Sequence, residues 1–449
     1  MEINFNVEKD MKPPIISEDQ KGIQEALARF TDNQELKLIY PKSGENVMPF
    51  IRRSTKDKDK NTVFVFYSVT NNNKTTTKIA MLKKNSNIWN VISSVVVSNR
   101  YNCEIEDVSF RRMRKLGNDN LIVGVGTQGQ RTKEVFVYEY TDTKLREIED
   151  MNHSYAAKIL TDIDDDGFDE LILIDRPVNA EPSIIMVKLC ETSLLEYTVS
   201  SCYAPLKESS NIVKDAKLTV GKLKNNNKAI FIDEIVYDES QEKEIIATEL
   251  VEYVDKYGLV NRTLKTEKNL GDTNFDLSYL TQRGKNVELV DIDGDGCLEI
   301  PCERPITEFL NSGEENLKEI DWYSFYGDNV KLSAIEIMDI WAQYRLKLKP
   351  DWFAIKHEKL SNTDVEVEGR TLQVSGYYKP ESNGHMLVLE KGNEKIVIYV
   401  VPRGKKVKNI FSKFATSGEL DYYVSIPNES EEEQAISMRE FQKLFKLLN

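Results

Sequence analysis

The chain has 449 residues, of which 40% are hydrophobic and 30% charged, and this composition predicts two or three domains, or a repeat array with a smaller unit. Its 74 acidic and 60 basic residues give a net charge of −14, which disfavours nonspecific nucleic-acid binding. No segment approaches the ~20 apolar residues that a membrane span requires. The five cysteines match no metal-binding or redox spacing, and a disulfide framework is not expected in so large a chain.

The N-terminal part predicts an arm and a short helix, over residues 1–34. Residues 1–17 are polar with adjacent prolines, Pro13–Pro14, and favour a flexible arm. The charged stretch Met1–Asp10 predicts no signal peptide. Gly22–Phe30 has apolar residues at helical spacing, which indicates a helix packed on the rest of the chain.

Short apolar or alternating segments, separated by Asn-rich turns, follow this helix and predict β-strands. The first such strands are Val63–Tyr67, Thr77–Leu82, Trp89–Val97, Leu121–Val125 and Glu134–Tyr140.

Two acidic loops carry most of the chemical information. Each has carboxylates at positions 1, 3, 5 and 9 and a glycine at position 6. Ca²⁺ needs several oxygen ligands within one tight loop, and glycine permits the reversal of the backbone. The sequence therefore predicts two Ca²⁺ sites, with the carboxylates of Asp162, Asp164, Asp166 and Glu170 in one and of Asp291, Asp293, Asp295 and Glu299 in the other.

The loops are not EF-hands, which need a glutamate at position 12, where this chain has Leu173 and Cys302. The first loop runs into the apolar segment Leu171–Asp175, which predicts a buried strand. In the second loop Cys297 is at position 7, where the backbone carbonyl would be the ligand. The alternative is a solvated acidic turn, because Asp and Gly are common turn residues.

Using position 9 as the register reveals five related segments. The intervals between successive copies are 58, 50, 59 and 70 residues, enough for a four-stranded antiparallel unit. Such a unit repeated radially is a β-propeller blade. The sequence predicts a mainly β fold, with about five four-stranded blades over residues 35–348; the position-9 residues are Thr62, Asn120, Glu170, Ala229 and Glu299.

Only the third and fifth loops should bind an ion. The other three lack the acidic set, and the two arginines of the second would repel a divalent cation. Their residues at the ligand positions are Ser54, Lys56, Lys58 and Thr62 in the first, Arg112 and Arg114 in the second, and Gly221, Leu223, Asn225 and Ala229 in the fourth.

Beyond the repeats, Ser333–Glu336 reads as a capping box and predicts a helix through Tyr344. Residues 349–449 predict a small α+β domain, with a terminal helix that begins near Asn428–Ser430. The basic segment Gly404–Lys408 is either a solvated loop or a contact for an acidic polymer. The domain's strands are predicted at Thr371–Tyr377, His385–Glu390, Lys395–Val401 and Tyr422–Ile426, and the helix's buried face at Ile436, Met438, Phe441, Leu444 and Phe445.

The third and fifth loops resemble the Asp-x-Asp-Gly-Asp-Gly-x-x-Asp/Glu-Leu turns of FG-GAP/VCBS repeats in integrin-like propellers. The order of segments is similar to that of VCBS-repeat lipoproteins of clostridia-like Gram-positive bacteria. Other residues that fit are Tyr40–Asn46, Phe64–Tyr67, Val123–Gly124 and Val220–Leu223.

The resemblance implies a secreted or surface-tethered propeller with calcium in its turns, and the carbonyls of Phe168 and Cys297 as backbone ligands. It implies a cell-surface lipoprotein if a leader carrying the lipidated cysteine was trimmed, with no other membrane association. A monomer is expected.

Two functions remain open. One is a noncatalytic, calcium-stabilised binding or scaffold protein of the bacterial surface, recognising a protein or a glycan. The other is a carbohydrate-active enzyme, a lyase or hydrolase, built on a propeller. The three histidines are far apart and no nucleophile or phosphate-binding motif is present, which favours the first. The aromatic cluster Trp322–Tyr326 is either a glycan-binding surface or a buried strand.

Overall fold

The protein is mainly β, and its contacts divide it into two compact units. One comprises Met1–Ala180 and Ile185–Tyr197, the other Glu181–Ile184 and Thr198–Asn449. The computed structural model describes residues 18–32, 34–53, 62–71, 74–98, 103–127, 132–177, 180–201, 216–238, 243–265, 275–309, 316–360, 363–381, 384–426 and 436–448.

The predicted N-terminal helix is confirmed as α1, Glu18–Phe30. Its buried residues Ile23, Ala26 and Leu27 lie on one face, at the spacing of three and four that one helix turn requires. They pack against the first sheet, in a cluster that includes Val63 and Trp89. The predicted arm, residues 1–17, lies outside the described residues.

Three sheets follow in chain order. In the first, β1 and β2 both pair with β3, which continues to β4 and β5. In the second, β9 and β10 share the outer edge of β8. The third is a four-stranded meander. Their strands are β1 Glu35–Leu38, β2 Phe50–Arg53, β3 Thr62–Asn71, β4 Lys74–Asn85, β5 Ile88–Ser98; β6 Cys103–Arg111, β7 Asn120–Thr127, β8 Lys133–Tyr140, β9 Leu145–Glu147, β10 His153–Tyr155; and β11 Ala157–Thr161, β12 Glu170–Asp175, β13 Ser183–Leu189, β14 Leu194–Ser200.

The fourth sheet is again a meander, with β21 added beside β17, and β19 pairs with β20 alone. The fifth sheet extends its meander with the C-terminal strand β33 (Phe445–Leu447) and with the hairpin of β26 and β27. Their strands are β15 Lys217–Lys222, β16 Lys228–Asp238, β17 Lys243–Val254, β18 Gly258–Asn261, β19 Leu264–Lys265, β20 Phe275–Asp276, β21 Gln282–Arg283, β22 Ile300–Pro305, β23 Leu317–Tyr326, β24 Asn329–Asp339, β25 Tyr344–Lys347, β26 Phe353–Lys359 and β27 Glu366–Leu372.

A sixth sheet and a short helix complete the C-terminal part. The sheet has the order β28-β29-β30-β32-β31. Ser437 caps the helix α2 in a capping box with Glu440. The elements are β28 Ser375–Glu381, β29 Gly384–Lys391, β30 Glu394–Pro402, β31 Ser412–Ser417, β32 Leu420–Ser425, α2 Met438–Leu444 and β33 Phe445–Leu447.

Five consecutive meanders of four antiparallel strands agree with the predicted repeat unit: β2–β5, β6–β9, β11–β14, β15–β18 and β22–β25. Each position-9 residue lies within one residue of the start of a strand of its meander and is buried. The chemically different side chains at this position thus share one structural role. Closure of the sheets into a propeller, and the number of blades, stay predictions.

The predicted helix from Ser333 to Tyr344 is wrong, because this segment forms β24 and β25. β24 pairs with β23 along most of its length. It is buried on both faces: Ile335 and Ile337 belong to one core cluster, Ala334 and Met338 to another. Apolar residues on both faces of a strand mimic the spacing of an amphipathic helix, so the pattern alone misled.

The C-terminal strands β29, β30 and β32 were predicted correctly, but Thr371–Tyr377 joins the end of β27 to the start of β28. The terminal helix begins at Met438, while the predicted start at residues 428–430 lies outside the described residues. Phe441 is its buried residue, and Phe445 already belongs to β33. β33 pairs with β25, across the expected limit at residues 348–349. The domain bounds 1–34, 35–348 and 349–449 stay a prediction.

Candidate metal centres in two acidic loops

The loop of the third repeat joins β11 to β12 and folds around its own carboxylates. The backbone N–H of Gly167 donates to Asp162 Oδ2 at 3.1 Å, and the N–H of Phe168 donates to Asp166 Oδ1 at 2.9 Å. The N–H of Asp166 donates to Asp164 Oδ1 at 3.3 Å. Gly167 has a positive φ of 88°, which glycine adopts without strain.

The loop of the fifth repeat repeats this pattern position by position. The N–H of Gly296 donates to Asp291 Oδ2 at 2.8 Å, and the N–H of Cys297 donates to Asp295 Oδ1 at 2.9 Å. The N–H of Asp295 donates to Asp293 Oδ1 at 3.3 Å. Gly296 has a φ of 87°. The shared sequence spacing therefore produces one loop conformation in both repeats.

The glutamate at position 9 closes each loop from inside the protein. Glu170 Oε2 accepts a hydrogen bond from the N–H of Ile163 at 3.0 Å, and Glu299 Oε2 accepts one from Ile292 at 2.9 Å. Both glutamates are buried. One oxygen of each thus fixes the start of the loop, while Oε1 is directed to other partners.

The carboxylates converge closely enough to share a cation. One oxygen from each of three side chains lies within 4.8 Å of the other two; the sets are Asp162, Asp164 and Glu170, and Asp291, Asp293 and Asp295. Asp166 and Glu299 belong to the same two loops but not to these sets. The donors are all oxygens, which fits a hard cation such as Ca²⁺. The predicted carbonyl ligands of Phe168 and Cys297 stay a prediction.

A lysine ammonium contacts each loop, and the sequence analysis missed both. Lys188 Nζ pairs with Asp164 Oδ2, and lies 2.6 Å from Asp166 Oδ2 and 3.3 Å from Glu170 Oε1.

In the fifth repeat, Lys224 Nζ pairs with Asp295 Oδ2, and lies 2.8 Å from Asp293 Oδ2 and 3.1 Å from Glu299 Oε1. The two ammonium groups thus contact the acids at positions 3, 5 and 9 of their loops. Each set of carboxylates therefore already stabilises one positive charge, that of the lysine ammonium.

Burial and charge shift the pKa values in these loops. Burial raises the pKa of Glu170 to about 7, against the hydrogen bond from Ile163. Burial also raises the pKa of Glu299, but less, because the N–H of Ile292, Lys224 and the Ser324 hydroxyl, 3.0 Å from Oε1, favour its charged form. The contact with Lys224 lowers the pKa of Asp295.

The lysines remain charged at neutral pH. Burial alone would lower the pKa of Lys188, but the carboxylates of Asp164 and Asp166 outweigh this effect and raise it. Lys224 follows the same pattern, with Asp293, Asp295 and Glu299 outweighing its burial. Each loop therefore holds an ammonium ion among ionisable carboxyl groups.

The fourth loop keeps the turn without the acids. The N–H of Asn227 donates to Asn225 Oδ1 at 3.1 Å, which is the position 7 to position 5 bond of the acidic loops. The side-chain amides of both asparagines donate to Glu252 Oε1, at 2.9 and 2.6 Å. Arg262 Nε donates to Glu252 Oε2 at 2.6 Å. The partner of this loop is therefore the buried Glu252, whereas the partner of each acidic loop is a lysine ammonium.

The other two loops are also without an acidic set among the described residues. Arg114 pairs with Glu139, and Arg112 Nη2 donates to the carbonyl of Lys115 at 3.2 Å. The predicted ligand-position residues Ser54, Lys56 and Lys58 of the first loop lie outside the described residues.

Each acidic loop is joined to the loop of the preceding repeat. The N–H of Asp169 donates to the carbonyl of Arg112 at 2.9 Å, and the N–H of Leu298 donates to the carbonyl of Lys222 at 3.1 Å. Both donors are at position 8. The acidic loops therefore lie at the junctions between successive repeats, where a bound ion would stabilise two repeats together.

The features that suggested other functions are mostly buried. Trp322, Tyr323 and Phe325 are core side chains, and Tyr326 is half exposed. The neighbouring acids Glu319 and Asp321 are both fully buried. Burial and the neighbouring Asp321 raise the pKa of Glu319, and Arg370 forms a two-pronged ion pair with it.

Within the described residues, no helix combines the length and apolar character needed to cross a bilayer. Cys103, Cys190, Cys297 and Cys302 are free thiols. Comparison of the chain with protein-family models and with curated proteins gives no match to either.

Proposed function

We propose that this protein is a noncatalytic, calcium-stabilised binding or scaffold protein. The observation that carries the proposal is the pair of loops Asp162–Glu170 and Asp291–Glu299, which share one hydrogen-bond pattern and gather three carboxylates each within 4.8 Å. Two such donor sets in one chain are better explained by two ion sites than by acidic residues that came together by chance.

The junctions between repeats support a stabilising role for the ion. The backbone hydrogen bonds of Asp169 and Leu298 reach the preceding repeat from within the acidic loops. An ion that fixes such a loop also fixes the strand that follows, because Glu170 and Glu299 lie at or beside the strand starts. The ion would thus stabilise the scaffold, leaving its outer surface for recognition.

We extend the proposal to an FG-GAP/VCBS-type β-propeller of about five blades, acting at the bacterial cell surface as a lipid-anchored protein. The five successive four-stranded meanders support this architecture. Calcium loops of extracellular modules bind in the range of about 10⁻⁴ to 10⁻³ M, which suits a calcium-rich exterior. A protein or a glycan would be the partner, and the protein would act as a monomer.

The enzyme alternative gains no support from the acids described above. A glycosidase needs two carboxyl groups facing one accessible cleft. Glu319 and Asp321 are fully buried, and Arg370 and Arg304 are their ion-pair partners. These two acids are therefore partners of buried ion pairs in the fifth sheet.

Calcium binding tests the proposal directly. Isothermal titration of the chelator-treated full chain should show two sites. If each Kd is about 1 mM, about 10 mM Ca²⁺ should raise the free energy of unfolding by about 1.4 kcal/mol per loop, because the ion binds the folded state.

Asp164→Ala and Asp293→Ala should each remove one site. The matched control is Asp364→Ala, an exposed acid paired with Lys359 outside the loops, which should leave both sites. If neither the chelator nor the two loop variants changed the melting temperature, the calcium proposal would be contradicted. A glycan array probed with and without Ca²⁺ would then test recognition, and loss of signal on chelation would link the scaffold to binding.

A further inference from the structure

The two loop lysines reach equivalent places from different parts of the fold. Lys188 is on β13, in the same sheet as its loop. Lys224 is in the turn of the fourth repeat and reaches the loop of the fifth. The two lysines are therefore not copies of one repeat position. Because two unrelated lysines contact equivalent acids, we infer that each loop favours a positive charge, whichever part of the fold supplies it.

The lysines contact side chains that an ion would need as ligands. Lys188 Nζ contacts Asp164 Oδ2 and Glu170 Oε1, and both residues belong to the set that converges within 4.8 Å. Lys224 Nζ contacts Asp293 and Asp295, which belong to the other set. An ammonium and a divalent ion cannot occupy the same oxygen cage together.

We infer that each acidic loop is an exchange site, in which the chain's own ammonium and Ca²⁺ compete for the same carboxylates. The inference rests on the proposed function and adds its regulation. At low Ca²⁺ the lysine neutralises part of the loop's charge and keeps it folded. At high Ca²⁺ the ion displaces the lysine, and the affinity of the loop is weakened by the contacts that the lysine must give up.

The exchange has different consequences in the two repeats. Displacing Lys188 changes contacts inside one sheet. Displacing Lys224 removes a side-chain link between the fourth and fifth repeats, while the backbone bond from Leu298 to Lys222 remains. The fifth loop would therefore loosen one connection as it gains its ion.

The test is calcium titration of the full chain, treated with chelator, as Lys188→Met and Lys224→Met variants. Methionine keeps the unbranched side chain except for its terminal atom and removes its charge. Each variant should bind Ca²⁺ about tenfold more tightly at one site, because the ion no longer displaces a unit positive charge. Lys188→Arg and Lys224→Arg keep the charge and should stay close to the unaltered chain.

A matched control is Lys83→Met, whose side chain is similarly buried, at 20% exposed against 16% for Lys188, and pairs with Asp142 outside the loops. It should leave the Ca²⁺ affinity unchanged. If a methionine variant fails to fold, Lys188→Gln or Lys224→Gln removes the same charge with a polar side chain. Circular dichroism before titration establishes folding.

The outcomes separate the inference from the calcium proposal. Tighter binding in the methionine variants alone supports the exchange. Two Ca²⁺ sites of equal affinity in all chains would overturn the exchange and leave the calcium proposal standing. Binding only after removal of the lysines would support the exchange and reject calcium stabilisation of the unaltered chain. No binding in any chain would overturn both.

Discussion

The third and fifth loops share four backbone hydrogen bonds at equivalent positions but have different surroundings. The Asp164 side chain is 7% exposed, whereas Asp293 at the same position is 33% exposed. Ser324 donates to Glu299 Oε1 in the fifth repeat. The lysine of the third loop comes from its own sheet, and that of the fifth from the preceding repeat.

The comparison separates what a loop determines from what its neighbours determine. The spacing of acids and glycine sets the conformation of the loop, so both copies agree. The burial of the acids, the pKa of the position-9 glutamate and the origin of the ammonium are set by the sheets around the loop. The loops should therefore respond alike to changes of their own pattern and differently to changes of their environment.

Removal of the position-9 glutamate should have the largest effect. Glu170→Ala and Glu299→Ala should each lower the free energy of unfolding by about 3–5 kcal/mol, because each leaves a buried backbone N–H without its acceptor, opens a cavity in the interior and removes one of the three carboxylates around a lysine. Urea unfolding in chelator measures the loss. Asp166→Ala, at a 38% exposed side chain, is the control and should cost less than about 1 kcal/mol. If both glutamate variants lost less than about 1 kcal/mol, the buried contacts of these glutamates would not contribute to the stability of the protein.

The pH dependence should distinguish the loops. In the folded chain the pKa of Glu170 is raised from 4.5 to about 7. Between these values the folded state binds more protons than the unfolded state, so stability falls as pH rises through this window and then levels off. The fall in chelator should reach up to about 3 kcal/mol, and Glu170→Gln should remove it.

Glu299→Gln is the matched variant for this pH test. Burial raises the pKa of Glu299 as well, but here the Ser324 hydroxyl favours the carboxylate in addition to the backbone N–H and the lysine. The difference between the parent and Glu299→Gln should therefore vary less with pH than the difference for Glu170→Gln. Equal slopes in both comparisons would show that the surroundings of the two glutamates have no energetic consequence.

A substitution at the partner of the fourth loop should lower the stability of the protein by the same amount with and without calcium. Glu252 is buried and accepts hydrogen bonds from two asparagines and from Arg262. Glu252→Gln should cost about 2 kcal/mol, because it removes the charge opposite Arg262. Thermal unfolding with Ca²⁺ and with chelator should show the same loss. A calcium-dependent loss would mean that this loop also contributes to an ion site.

The sequence predicted the loops better than it predicted their partners. Position 9 could be aligned across five repeats because its burial and its place at a strand start depend on local pattern. Lys188 and Lys224 could not be found in this way, since they approach from elements 18 and 67 residues away from Glu170 and Asp291. The lysine within the turn Gly221–Ala229 was a weak signal, visible only once that turn is known to contact the next repeat.

The error at Ser333–Tyr344 has a related cause. A strand buried on both faces has apolar residues at consecutive positions, and a helix pattern can be fitted to them. The strand β24 is defined by its partner β23, which precedes it in the chain. Local propensity gives no information on such a pairing, so the structure was needed to choose between the two.

The smallest expected effect concerns position 4, where the loops differ in sequence but share a left-handed backbone. Asp165 has a φ of 58° and Gly294 a φ of 82°. A Cβ added to Gly294 would meet no atom within 4 Å, so the cost of a side chain there lies in the backbone alone. Gly294→Ala should therefore lower the free energy of unfolding by about 1 kcal/mol.

Gly294→Asp should cost about half as much, because aspartate tolerates the left-handed region better than alanine. The reverse change, Asp165→Gly, should alter stability by less than about 0.5 kcal/mol, since relief of strain is offset by the greater freedom of glycine in the unfolded chain. Urea unfolding in chelator measures all three variants. If Gly294→Ala were neutral while Gly294→Asp was costly, added charge rather than backbone conformation would govern this position, and the equivalence of the two loops would fail there.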